Sequence, residues 1–249
     1  MTWVDRNLFD GEHYLGKPAE FSDKIISRRL EILDEIDNFY GTDLNMIEIG
    51  CGYGASMILS NDKFNSCLGI EVFPEHQITF EQLKEKYQAK NCTILIDDIS
   101  KIEITEQFDR LISFEVVEHL PDEDYVQYFN QVLKKNGLAA ISVPNKWWIF
   151  ETHGAKLPLL PWNRVPFFSW LPSFVHERFA NARIYTCKRI ENLLKRYNFD
   201  IIKTYYITAP MDVLKEGRLK KILLKYIFNS NTTNNPFKST AILVIARKK

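Results

Sequence analysis

Three side chains stand close enough along the 249-residue chain to do chemistry together: Glu115, Glu118 and His119, in Phe114-Glu115-Val116-Val117-Glu118-His119-Leu120-Pro121. Glu115 and Glu118 are three places apart, and Glu115 and His119 four. A helical turn would bring carboxylate and imidazole to one face. Such a set can ligate a divalent metal. His119, with Glu118, can instead take a proton from a hydroxyl acceptor as general base. The third reading is structural, with His119 capping a helix. Residue type and spacing leave all three open.

A second stretch is suited to holding a ligand. The apolar run Leu44 to Ile49 ends in Gly50-Cys51-Gly52-Tyr53-Gly54, glycines at alternate positions, and Ala55 to Leu59 follows as a short helix. Strand, tight turn and helix start in that order let a ligand approach the backbone closely, with helix-start N–H groups facing it. Glu48 sits two places before the first glycine. Beyond it, Gly69-Ile70-Glu71-Val72 puts Glu71 at a strand end about 20 residues past the turn, where a carboxylate can accept from ribose hydroxyls. Ile94-Leu95-Ile96-Asp97-Asp98-Ile99 puts Asp98, or Asp97 with a one-place slip, at the next strand end. A helix cap is the alternative role there.

These landmarks resemble the class I S-adenosylmethionine-dependent methyltransferases over roughly residues 40 to 145. Gly50, Cys51, Gly52 and Gly54 with Glu48 match the first motif of that family. The resemblance implies S-adenosylmethionine as cofactor, Glu71 and Val72 at its ribose, Asp98 and the Ile99 N–H at its adenine, and Phe114 and Glu115 beside its methionine part. It implies a Rossmann-like, mostly parallel seven-stranded sheet with helices on both faces and an antiparallel last strand beside the fifth. The E-x-x-E-H string is similar to that of ubiquinone-biosynthesis O-methyltransferases and of small-RNA 3′-terminal 2′-O-methyltransferases, both metal-assisted. On that likeness Glu115, Glu118 and His119 would hold a divalent metal, completed by His176 as first choice and His153 as second.

The elements that must position these residues alternate. A helix begins near Ser22 or Asp23, with Ile26, Leu30, Leu33 and Asp37 on one face, and ends by Gly41. Strands are expected at 44–49, 66–72, 93–96, 108–114, 138–143, 200–207 and 241–246, and helices at 55–59, 74–88, 122–133 and 186–197. Lys134-Lys135-Asn136-Gly137 is expected to end the helix at 122–133. Strands alternating with helices predict an α/β fold with a parallel sheet. The whole chain, 1–249, reads as one domain, with residues 1–40 as an N-terminal helical flap. Residues 144–185, holding four of the five tryptophans and five of the ten prolines, read as an aromatic cap between strands five and six. Prolines that dense exclude a regular helix or central strand. The tract 230–235 reads as a polar loop.

Composition narrows the function classes. Hydrophobic residues make up 45% of the chain and the formal net charge is zero. Neutrality makes a nucleic-acid partner unlikely. Four scattered cysteines suggest neither a disulfide framework nor a thiolate zinc site. The start of the chain is polar and no apolar run suits a spanning helix, so a cytoplasmic protein is expected. The stretch 214–228 carries an apolar stripe among Lys215, Arg218, Lys220, Lys221 and Lys225, which permits peripheral contact with a membrane. The function expected is O-methylation of a small aromatic, lipid-like or glycan-type acceptor. RNA 2′-O-methylation and a non-catalytic cofactor-binding subunit are the alternatives.

Overall fold

The computed structural model describes residues 20–103, 106–155, 165–211, 214 and 217–249. The first nineteen residues of the expected flap, with Trp3, Phe9 and Tyr14, and the cap's Pro158, Pro161 and Trp162 lie outside the described residues. In chain order the elements are α1 (Lys24–Asp34), β1 (Gly41–Ile49), α2 (Ala55–Leu59), β2 (Phe64–Glu71), α3 (Glu75–Lys86), β3 (Cys92–Ile96), β4 (Phe108–Phe114), α4 (Val126–Val132), β5 (Leu133–Pro144), α5 (Ser173–Phe179), α6 (Cys187–Arg196), β6 (Phe199–Thr208), α7 (Arg218–Tyr226), β7 (Thr232–Thr233) and β8 (Ser239–Lys248). The eight strands form one sheet in the order β3-β2-β1-β4-β5-β8-β6-β7. Pairs from β3 to β5 are parallel, and β8 runs antiparallel between β5 and β6. The predicted α/β sheet with an inserted antiparallel last strand is therefore present.

Alternation along the central strands fills both faces. Ile47, Leu111, Ile141 and Val244 point to the side covered by α4 and α6, where Val126, Phe129, Ile190, Leu193 and Leu194 pack. Met46, Ile112, Ala140, Leu243 and Ile245 point the other way, onto Ile32 and Leu33 of α1, Met57 and Ile58 of α2 and Phe80 of α3. The period of two sends successive residues to opposite faces, so strands buried on both sides read as continuous apolar runs. Glu48 shares the α1–α2 face with Met46, a buried charge position in an otherwise apolar layer.

Four local expectations need correction. The sheet has an eighth strand, because two residues of the polar tract 230–235 pair with Tyr206 and Ile207 at the sheet edge. α1 stops at Asp34 rather than reaching Asp37, and Gly41 opens β1 instead of ending the helix. The helix expected at 122–133 is a 3₁₀ turn, Glu123–Tyr125, followed by α4. Lys134 to Gly137 do not cap that helix. They bulge from β5, whose pairing with β4 steps from Phe108↔Leu133 to Arg110↔Leu138. Asn136 takes the left-handed conformation there at φ 65°. Lys134 Nζ holds both oxygens of Asp109 at 2.8 and 3.0 Å, and Lys248 Nζ takes the carbonyls of Asn130 and Leu133. The positive charges thus serve the sheet bulge and the end of α4 from a distance.

The described cap is tied to the sheet at its stem by a bridge between Asn145 and Tyr185, and internally by Phe150–Pro166 and Ala155–Ala180 bridges. Asn145 Nδ2 bonds the carbonyls of Pro236 and Ser239 at 2.7 and 2.8 Å, which pins the exit of β5.

Candidate active site

The glycine turn follows β1 directly. Gly50 and Gly54 have φ of 70° and 75°. A Cβ on Gly50 would stand 2.4 Å from Val116 Cγ2, and one on Gly54 would stand 2.7 Å from the Phe80 ring. Both positions need glycine for conformation and for room. The Gly50 contact also shows that the turn lies against Val116, next to Glu115 and two places before Glu118. The two constellations picked from the sequence therefore meet at the carboxyl ends of β1 and β4, the edge where open α/β sheets take ligands.

Glu71 ends β2 and closes over the turn. Its Oε2 accepts the Gly52 N–H at 2.7 Å, and its Oε1 accepts the N–H groups of Val72 and Phe73 at 2.8 and 3.1 Å. Tyr53 and His76 stand beside it, their rings edge-on at 4.9 Å, with His76 Nδ1 3.6 Å from Glu71 Oε1. Asp98 Oδ1 accepts from Ser100 N and Oγ, both at 2.8 Å, so part of that carboxylate shapes its own turn. Ile99 is buried behind it. Cys51 is buried too, and burial, with Glu48 and Glu71 nearby, pushes its thiol well up from the ordinary value.

Glu48 Oε2 accepts the Met57 N–H at 3.1 Å, spanning from β1 to the start of α2. Burial raises its carboxyl from 4.5 to about 8, against the opposing effects of hydrogen bonds from Ser56 and Met57 and the charge of Arg29. Arg29 belongs to none of the motifs legible in the sequence. It comes from α1 and is 3% exposed; its Nη2 meets Glu115 Oε1 at 2.8 Å and its guanidinium lies 5.0 Å from the Phe114 ring centre. Burial lowers its pKa, while Glu115, Glu118 and Glu48 act to raise it. The sequence did carry a signal. Arg29 falls three places after Ile26 and four before Leu33, inside the apolar stripe and not on the polar face.

The expected metal set divides. Glu115 has φ 57°, which breaks the helical phase after β4. Its Oε1 takes Arg29 and the Ser142 hydroxyl, the latter at 2.9 Å. His176 is also elsewhere, with Nε2 2.6 Å from Glu151 Oε2, both residues buried in the cap. The histidine delivered to Glu118 and His119 is His153. Ligand atoms of Glu118, His119 and His153 lie within 4.8 Å of one another. His153 Nε2 is 3.4 Å from Glu118 Oε1, and the two imidazoles meet edge-on at 4.9 Å.

The cap holds His153 from several sides. Its N–H donates to Glu151 Oε1 at 3.1 Å, its Nδ1 pairs with Thr152 Oγ1 at 2.9 Å, and its carbonyl accepts from Asn181 Nδ2 at 3.1 Å. Burial acts to raise the Glu151 carboxyl, but the hydrogen bond and charge of His176 outweigh it and hold it below the ordinary range. Glu118 is fully buried. Burial first, then the charge of Glu115, pushes its carboxyl well above the ordinary range, against its own backbone N–H, Arg29 and Arg183. Arg183 braces the same turn through the carbonyls of Leu120 and Pro121 at 2.6 and 3.0 Å. One carboxylate and two imidazoles of this kind form a donor set that suits a divalent cation and equally a proton-accepting pair.

The chain is similar to known proteins. A family model described as "Methyltransferase domain" matches residues 16–204. A mitochondrial ubiquinone biosynthesis O-methyltransferase of Dictyostelium discoideum is 31% identical over 119 residues, 41% of this chain and 36% of that protein. An (S)-coclaurine N-methyltransferase of Papaver somniferum is 27% identical over 97 residues, 38% of this chain and 28% of that protein. The matched stretch thus spans about a third of the length of these curated relatives. The crystal structure of a putative S-adenosylmethionine-dependent methyltransferase from Listeria monocytogenes superposes with a TM-score of 0.61 at 15% identity, covering 90% of this chain and 98% of that one. With the glycine turn, the strand-end acids and the inserted antiparallel strand in place, the chain belongs to the methyltransferase-domain family, with the fold of the class I S-adenosylmethionine-dependent methyltransferases.

Proposed function

We propose that this protein transfers the methyl group of S-adenosylmethionine to a hydroxyl oxygen of a small aromatic, lipid-like or glycan-type acceptor. The observation that carries the reading is the convergence of Glu118, His119 and His153 beside the glycine turn. A sulfonium methyl is already electrophilic, so the cofactor supplies the difficult part of the chemistry. What remains for the chain is alignment, exclusion of water and removal of the acceptor's proton. An amine acceptor in its neutral form brings its own lone pair, whereas a hydroxyl must lose a proton as it attacks. Two imidazoles and a buried carboxyl answer that need. The relatives include both an O- and an N-methyltransferase, and the proton-accepting cluster is what favours oxygen.

In this reading the backbone of Gly50 to Gly54 cradles the cofactor, Glu71 and Val72 hold its ribose, and Asp98 and Ile99 meet its adenine. Glu48, Phe114, Glu115 and Arg29 surround its methionine part. His119 or His153 accepts the proton, with Glu118 behind them. A divalent cation, where one is used, would be held by Glu118, His119 and His153, and would lower the pKa of a bound hydroxyl.

Titration calorimetry with S-adenosylmethionine, followed by mass spectrometry of a panel of phenols, isoprenoid alcohols, sugars and amines, tests the proposal. Cofactor binding with methyl transfer to hydroxyl compounds, abolished by His119→Ala at near-normal cofactor affinity, is the expected result. Methylated amines with no methylated hydroxyls would overturn the oxygen assignment, and binding without any product would overturn the enzyme assignment.

A further inference from the structure

The outer side of α7 presents two stripes. Leu219, Ile222 and Tyr226 recur at i, i+3 and i+7 and are 65%, 54% and 68% exposed. Arg218, Lys221 and Lys225 repeat the same spacing and are exposed as well. At 100° per residue the sets run side by side along the solvent face, apolar next to cationic. The inner side is occupied: Leu223 and Leu224 pack with Met211 against Trp148, Ala209 and Phe228. The helix contains no acidic residue and buries none of its own. It also leads into the cap. The Trp148 ring meets Phe228 at 6.4 Å, and the Trp148 carbonyl accepts the Trp170 indole N–H at 3.2 Å. Beyond it Phe167, Trp170 and Phe237 touch in sequence and remain 52%, 37% and 46% exposed.

We propose that α7 is a docking surface for an anionic lipid membrane, lying in the interface with Leu219, Ile222 and Tyr226 at the acyl boundary and Arg218, Lys221 and Lys225 at the headgroups. Charge complementarity selects this occupant. A nucleic acid would use the cations but leave the apolar stripe in water. A second copy of the chain would press the cationic stripes of two helices together. An anionic bilayer satisfies both stripes at once. The cations are a local feature, since the chain as a whole is neutral. Among the described residues no helix is long and apolar enough to cross a membrane, so the contact is peripheral. This inference stands apart from the acceptor chemistry.

Flotation of the full chain with vesicles of phosphatidylcholine containing about one third phosphatidylglycerol tests it. The protein is expected to float with these vesicles at low salt and to be released by high salt. Arg218→Glu/Lys221→Glu/Lys225→Glu should weaken partitioning at least on the order of a hundredfold, from about fivefold per cation. Leu219→Ser/Ile222→Ser/Tyr226→Ser should abolish it while leaving the melting curve unchanged, because all the altered side chains are exposed. No flotation at low salt, or variants that float like the parent, would overturn the proposal. So would a concentration-dependent dimer that both variants abolish without lipid, or homopolymeric RNA binding that only the charge variant removes.

Discussion

Replacing Glu48 by Gln tests the electrostatics of the glycine-turn region directly. Glu48 is fully enclosed and its carboxyl is raised from 4.5 to about 8, chiefly by burial. A folded-state pKa above the unfolded one means that the native protein holds the proton more tightly. Stability from this residue is therefore complete below about pH 4.5 and is lost as pH climbs through the folded value. At 1.36 kcal/mol per unit, the loss between pH 5 and pH 8 is about 3 kcal/mol, a large share of a typical domain's stability. Gln keeps a carbonyl that can accept the Met57 N–H but has no proton to lose. Urea unfolding of parent and Glu48→Gln at pH 5, 6, 7 and 8 reads the effect as a difference, in which other titrating groups cancel. The two stabilities should diverge steadily toward pH 8, with the variant gaining relative to the parent by about 3 kcal/mol. Parallel curves across the range would show that Glu48 is not held in a low-polarity site, and the account of this layer would fail.

Three further outcomes follow from the same geometry. Gly50→Ala must adopt a left-handed backbone and meet Val116, so it should lose about 2–3 kcal/mol and most cofactor affinity; adding Val116→Ala should recover the steric part only, as read by thermal melts and calorimetry. Arg28, 1% exposed, donates to the carbonyls of Thr208, Ala209 and Phe228. Arg28→Met leaves those acceptors bare and should cost about 3 kcal/mol or more in urea unfolding. Titration with Mn²⁺ should show any cation affinity lost in His153→Ala and retained in His176→Asn; the reverse order would contradict the convergence of Glu118, His119 and His153.

Much of the sheet was legible because its strands are apolar runs separated by helices, and burial on both faces leaves that trace in composition. Strand-end residues such as Glu71 could be placed because the strand sets where the chain emerges at the sheet edge. Failures occurred where a local pattern had two solutions. Lys134 to Gly137 has the composition of a helix C-terminus, yet β5 pairs with β4 on either side of it and absorbs those residues as a bulge. Glu115 matches the helical spacing to Glu118 and His119. Its left-handed backbone breaks that helical spacing, and its Oε1 meets the guanidinium of Arg29 arriving from α1.

The order of strands and helices, the glycine turn and the acids at the strand ends were properties of the sequence alone, because each depends on periodicity or on residues near one another in the chain. Which histidine joins Glu118 and His119 was not. His153 and His176 both lie in the cap, and local sequence cannot tell them apart. Glu151 settles the matter by pairing with His176 inside the cap while its other oxygen fixes the loop that carries His153. Arg29, 86 residues before Glu115, reaches its partner only because α1 packs over the ends of the central strands. Contacts of that range depend on how buried layers fit together, which one-dimensional spacing does not encode.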